Sequence, residues 1–237
     1  MWRKNPNENI IKYLIENGAD DVNLPSNNNI TPLINICSNK NINENILKIL
    51  IENKANVNGD SLICACLNDN IDVVKYLIEN GADVNQCRSD KKTPLICACI
   101  FGMEDIIKYL IKKGAETNLS DENGYTLLII SVKVGNISII KYLVEVGGAD
   151  VNKAKNDGET PLIIACKNEG QSLIKYLIER GADINQKNNE GDTPLILAKK
   201  SQNQEIIKLM RINKGINIIY IYIYLFILHF NFNIIIK

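Results

Sequence analysis

Two phrases recur along the chain at a nearly fixed interval, and that interval limits the possible folds more than any other property of the sequence. Lys-Tyr-Leu-Ile-Glu-x-Gly-Ala-Asp stands at Lys12–Asp20, Lys75–Asp83 and Lys175–Asp183, with variants at Lys48–Asn56, Lys108–Glu116 and Lys141–Asp150. Thr-Pro-Leu-Ile begins at Thr31, Thr93, Thr160 and Thr193, and a degenerate Thr-Leu-Leu-Ile begins at Thr126. Thr93 to Thr126 is 33 residues, as is Thr160 to Thr193; the 34 residues between Thr126 and Thr160 include the doubled Gly147-Gly148. A period of this length marks supersecondary units that bury their apolar faces on one another.

The stretch 153–185 shows what one unit contains. Asn156-Asp157-Gly158 is a turn signal, with glycine supplying the positive φ. Thr160 is placed to cap a helix, and Pro161 falls at its first position, where a missing N–H costs nothing. Leu162, Ile163, Ala165 and Cys166 give that short helix an apolar face, and Glu169-Gly170 breaks it. Leu173, Ile174, Leu177 and Ile178 then recur at helical spacing, leaving Lys175, Glu179 and Arg180 for solvent, and Gly181 ends the second helix. Helices shorter than about 12–15 residues are marginal alone, so each unit needs its neighbours.

With Gly-x-Thr-Pro-Leu at Gly158–Leu162 and Gly191–Leu195, and Gly-Ala-Asp-Val-Asn at Gly81–Asn85, the chain resembles the ankyrin repeat family over about 1–217. The resemblance implies an all-α ankyrin-repeat solenoid of helix-turn-helix units linked by hairpin-like turns. Seven units are expected: a partial one at 8–23, then 24–58, a short 59–85, 86–118, 119–152, 153–185 and a degenerate 186–217. The sequence departs from the family pattern in three places. Ile34, Ile96, Ile129, Ile163 and Ile196 occupy the position where family members usually carry His, so a polar site becomes apolar. The unit at 59–85 has no room for its hairpin, which predicts a gap in the row of loop tips. Arg211 stands where other units have an apolar residue, so the last unit loses its ending.

Composition narrows the function. Lys+Arg and Asp+Glu are 27 each, giving zero formal charge; a general nucleic-acid binder normally carries a basic excess, so no nucleic-acid partner is expected. The 46% hydrophobic content excludes disorder. Seven Cys without scaffold spacing, and no apolar signal segment at the start, point to a reducing, cytoplasmic setting. The 41 Ile, 34 Asn and 23 Lys reflect in part A/T-rich codons.

Catalysis finds no support in the residues. The only His is His229, and neither Gly-x-Gly-x-x-Gly nor a phosphate-cradling Gly-Lys-Ser/Thr phrase occurs, so no enzyme, catalytic residue or cofactor is expected. Cys64/Cys66 and Cys97/Cys99 are two residues apart on a helix and point to nearly opposite faces, so neither pair chelates one tetrahedral ion. No metal is expected, and the thiols read as small buried fillers. Tyr13, Tyr76, Tyr109, Tyr142 and Tyr176 share one position of the second helix and read as packing residues with the hydroxyl at the edge.

The partner surface follows from the resemblance, which implies binding of another protein by the loop tips and exposed first-helix faces. At the tips these positions are Ser89, Asp90 and Lys92, then Glu122, Asn123 and Tyr125, then Asn156, Asp157 and Glu159; on the helices they are Ile100 and Phe101, Lys133 and Val134, Lys167 and Asn168. The expectation is therefore a monomeric, non-catalytic scaffold or adaptor for an unidentified protein partner. The run 218–237 stands apart. Its uninterrupted apolar core, Ile218–Leu228, is 11 residues; as a helix it spans roughly 16 Å against a bilayer core of about 30 Å. A weak membrane anchor, a cap on the last unit and a coding artefact all remain open, and the first of these would make the protein a membrane-tethered adaptor.

Overall fold

The computed structural model describes residue 13 and residues 21–57 and 60–213. The expected tail at 218–237 and most of the partial unit at 8–23 lie outside the described residues. The chain divides into two compact units, Met1–Ala149 and Asp150–Lys237.

Four helix pairs are described in the first unit: α1 (Pro32–Cys37) with α2 (Glu44–Glu52), α3 (Asp60–Leu67) with α4 (Ile71–Glu79), α5 (Pro94–Phe101) with α6 (Glu104–Lys112), and α7 (Leu127–Val134) with α8 (Ile137–Glu145). The second unit contains α9 (Pro161–Lys167) with α10 (Gln171–Glu179) and α11 (Pro194–Lys200) with α12, which occupies 204–213. Beyond one isolated bridge, Ser120 with Thr126, no extended pairing occurs among the described residues.

The first helices start where the recurring threonine dictates. Thr31, Thr93, Thr126, Thr160 and Thr193 lie in extended backbone, and each Oγ1 accepts the N–H of the isoleucine three residues on at 3.2–3.3 Å. Proline follows in four of the five. The Thr-Pro-Leu phrase is missing from the sequence before α3, which is described from Asp60 onward. Second helices are amphipathic: in α6, Ile106, Ile107 and Leu110 are buried while Lys108 and Lys112 are exposed. Each fully buried Leu or Ile contributes roughly 1.5–3 kcal/mol.

Within the first unit α1 packs on α3, α3 on α5 and α5 on α7; within the second, α9 packs on α11. The isoleucines that replace histidine serve this packing. Ile96, Ile129 and Ile163 are wholly buried, whereas Ile196 in the last pair is 38% exposed. A second set of contacts ties consecutive pairs. The Asn85 side chain donates to Gly114 O at 3.3 Å and accepts from Glu116 N–H at 2.8 Å. In the second unit Asn152 donates to Gly181 O at 3.0 Å and accepts from Asp183 N–H at 2.7 Å.

The doubled glycine is absorbed after α8. Thr117 Oγ1 donates to Gly147 O at 2.6 Å. A Cβ at Gly147 would lie 2.8 Å from Leu143 O and 2.9 Å from Thr117 Cγ2, so only glycine fits there.

Candidate functional site

Each hairpin is a closed turn held by its own backbone. In the first unit Arg88 N–H donates to Lys92 O at 3.1 Å and Asp121 N–H to Tyr125 O at 3.2 Å; in the second, Lys155 pairs with Glu159 and Asn188 with Asp192 at 3.0 Å each. Adjacent tips are joined, by Glu122 N–H to Asp90 O at 3.2 Å in the first unit and Asn189 N–H to Asp157 O at 2.9 Å in the second. The turn at Gly158 requires glycine, since its φ is +82° and a Cβ would stand 2.9 Å from Asn188 Cα. No such hairpin precedes α3: the chain passes from Val57 to the start of α3 at Asp60, and Arg88 Nε of the next hairpin reaches back to Asp60 Oδ1 at 3.3 Å.

The expected tip residues fall into two kinds. Ser89, Glu122, Asn123, Asn156 and Asp157 are exposed, whereas Asp90, Lys92, Tyr125 and Glu159 are half-buried. Lys92 Nζ lies 2.7 Å from Asp90 Oδ2. The Lys92 hydrogen bond holds the Asp90 carboxyl below its ordinary range, and Asp90 in return raises the Lys92 ammonium. In the second unit Lys155 pairs with Asp157 and Glu159, and Lys167 with Glu159. Burial pushes the Glu159 carboxyl upward, but hydrogen bonds from Lys167 and Lys155 outweigh it and leave the group lowered.

These pairs expose a register that the sequence reading missed. In three repeats the residue before the threonine cap meets the residue eight positions on, at the end of the first helix. In the second unit this contact is an ion pair both times: Glu159 with Lys167, and Asp192 with Lys200 at 2.6 Å. In the first unit the equivalent of Glu159 is Tyr125, and Lys133 Nζ lies 3.3 Å from its hydroxyl and 4.7 Å from its ring centroid. One repeat earlier the same two positions are Lys92 and Ile100.

The next column, the residue nine positions after the hairpin foot, is polar almost throughout. It reads Asn39, Asn68, Phe101, Val134, Asn168 and Ser201. Only Phe101 and Val134 are apolar. They are 62% and 55% exposed, with Ile100 at 37% beside them. Phe101 therefore does not fold back into the stack.

Sequence reasoning also passed over Asp121 and Asn188, which organise their hairpins. Asp121 Oδ1 accepts from Asn123 N–H at 3.0 Å and Tyr125 N–H at 2.9 Å; Asn188 Oδ1 accepts from Glu190 N–H at 3.1 Å and Asp192 N–H at 2.8 Å. The acidic or amide residue at the start of these two turns was the available signal.

The remaining candidates lie elsewhere. Tyr76, Tyr109, Tyr142 and Tyr176 are half-buried, and the Tyr109 hydroxyl is enclosed without a partner rather than at the edge. Cys37, Cys66, Cys97, Cys99 and Cys166 are buried, Cys64 half-buried and Cys87 exposed. Burial pushes the Cys97 thiol up to about 11 and those of Cys37, Cys99 and Cys166 up to about 12. Among the described residues no three His, Cys, Asp or Glu side chains form a metal-holding group, and no helix is long and apolar enough to cross a membrane.

Repeated helix pairs, most of them introduced by a closed hairpin turn, define an all-α repeat protein. A family model of ankyrin repeats in three copies matches residues 3–88, 62–155 and 146–220, and the chain belongs to the ankyrin repeat family. No curated protein gives a match. Ankyrin repeats are in general protein–protein interaction modules, and the family is typically non-catalytic.

Proposed function

We propose that this chain is a non-catalytic protein-binding scaffold whose contact surface is centred on α5, α7 and their hairpins in the first unit. The observation that carries this reading is the exposed apolar pair Phe101 and Val134 in a column that is otherwise polar. Their tips are pre-ordered by backbone hydrogen bonds, so docking loses little loop entropy. Ser89, Asp90, Lys92, Glu122, Asn123 and Tyr125 form the polar border. Asn156, Asp157, Glu159, Lys167 and Asn168 form the corresponding surface of the second unit, where internal ion pairs take up much of the charge.

Affinity capture with the full chain tests the proposal when run beside Phe101→Ala. Aromatic anchors commonly contribute about 2 kcal/mol or more, so affinity for retained partners is expected to fall about thirtyfold or more. The far-UV spectrum and urea midpoint are expected to stay unchanged, because Phe101 is exposed. Equal retention of the same proteins by both forms overturns the reading.

A further inference from the structure

The partner's chemistry can be read from one broken regularity. At the register position of Lys133, the second unit places Lys167 and Lys200, and each is matched by a carboxylate at the hairpin foot, Glu159 and Asp192. Lys133 is exposed, and among the described residues its ammonium is held by Tyr125, through the hydroxyl at 3.3 Å and the ring face at 4.7 Å, with no carboxylate partner. A ring face attracts an ammonium but leaves its full charge uncompensated. Lys92 cannot serve as a second free cation, since Asp90 neutralises it at 2.7 Å. The face thus combines the Lys133 ammonium, held by a ring rather than a carboxylate, with a ridge of Ile100, Phe101 and Val134.

We infer that this face takes an acidic, apolar-anchored peptide segment of a partner protein. A large apolar side chain of that segment packs on Phe101, Ile100 and Val134. A flanking Asp or Glu pairs with Lys133, in the role that Glu159 and Asp192 fill within the second unit. This rests on the binding surface proposed above and adds the partner's charge. Tyr125 acts as a platform that orients the Lys133 chain while leaving hydrogen-bonding capacity for an incoming carboxylate.

The test is selection of a displayed library of random 12-residue peptides on the immobilised full chain. Enriched sequences are expected to place Leu, Phe or Trp close to Asp or Glu. For a synthetic peptide of the winning sequence, fluorescence anisotropy is expected to show about a tenfold loss with Lys133→Gln. Affinity for the parent is expected to weaken as salt rises, and this dependence to flatten in Lys133→Gln, which a mere packing defect would not produce. Tyr125→Glu, which recreates the Glu159–Lys167 arrangement, is expected to weaken binding to a similar degree by occupying Lys133 internally. Peptides that need Phe101 but carry no acid, and are indifferent to Lys133→Gln, overturn the inference and leave the binding surface standing. Peptides indifferent to Phe101→Ala as well, or no enrichment at all, overturn both.

Discussion

At the scale of single residues, the structure gives the asparagine excess a function. Asn23, Asn85 and Asn152 each use both ends of the side-chain amide on the backbone of the next helix pair, across 29–33 residues. The Asn side chain carries a separate N–H donor and C=O acceptor on one short planar amide, so a single residue can bond both a carbonyl and an N–H of the neighbouring repeat. Asn152→Ala is expected to lower stability by about 1–3 kcal/mol, because Gly181 O and Asp183 N–H lose their partner. A lower urea midpoint at unchanged slope is the measurement that shows it. The buried thiols give a second prediction at this scale. Their folded pKa values stand above the usual thiol value of 9.0, so between there and about 12 the unfolded chain releases protons that the folded chain keeps. Stability contributed by these groups is fully present below pH 9 and declines as pH rises toward 12. Replacing Cys166 with Ala is expected to flatten that alkaline decline relative to the parent in paired urea titrations. An identical pH slope in both proteins would contradict the burial argument.

At the scale of elements, the first helices were almost fully legible. Thr-Pro-Leu carries its own capping chemistry, and every such phrase in the sequence begins a helix within one residue of the threonine. Thr160→Ala should cost about 1 kcal/mol, the ordinary loss of a hydroxyl cap, and the urea midpoint reports it. Less could be read where spacing does not reveal which repeat a side chain will meet. The contact from hairpin foot to helix end spans eight residues, so neither strand nor helix periodicity exposes it. Lys133 and Lys167 therefore read alike as surface charges, although one faces a ring and the other a carboxylate. The Tyr109 hydroxyl is illegible for the same reason: its enclosure depends on neighbouring helices, not on its own repeat. The doubled glycine was visible as an insertion, but not the reason that it must be glycine. Gly147→Ala is expected to destabilise by about 1–3 kcal/mol, because one of the two close atoms is the carbonyl of Leu143 and cannot swing away. The same substitution at a position with open space around it would not test this contact.

At the scale of the whole molecule, the helix contacts within each unit run from one pair to the next, as α1 to α3, α3 to α5 and α5 to α7, or α9 to α11. Stability of such a chain is a sum of repeat terms and nearest-neighbour terms, with no central core to couple remote positions. That separation also bears on the binding surface, since the apolar pair at Phe101 and Val134 sits in two adjacent repeats while other repeats keep Asn or Ser there. Changes to a remote asparagine should therefore shift stability without altering the binding face. The sharpest check is a double-mutant cycle between Asn85→Ala and Asn152→Ala, one in each compact unit. Each removes one inter-repeat bridge, and the bridged segments share no residue: Asn85 reaches 114–116 and Asn152 reaches 181–183. Independent sites add within about 0.5 kcal/mol, so the double mutant is expected to match the sum of the singles to that margin. A coupling well beyond it, measured by equilibrium urea unfolding with two spectroscopic probes, would mean that stability is shared across the chain and that nearest-neighbour contacts do not govern it.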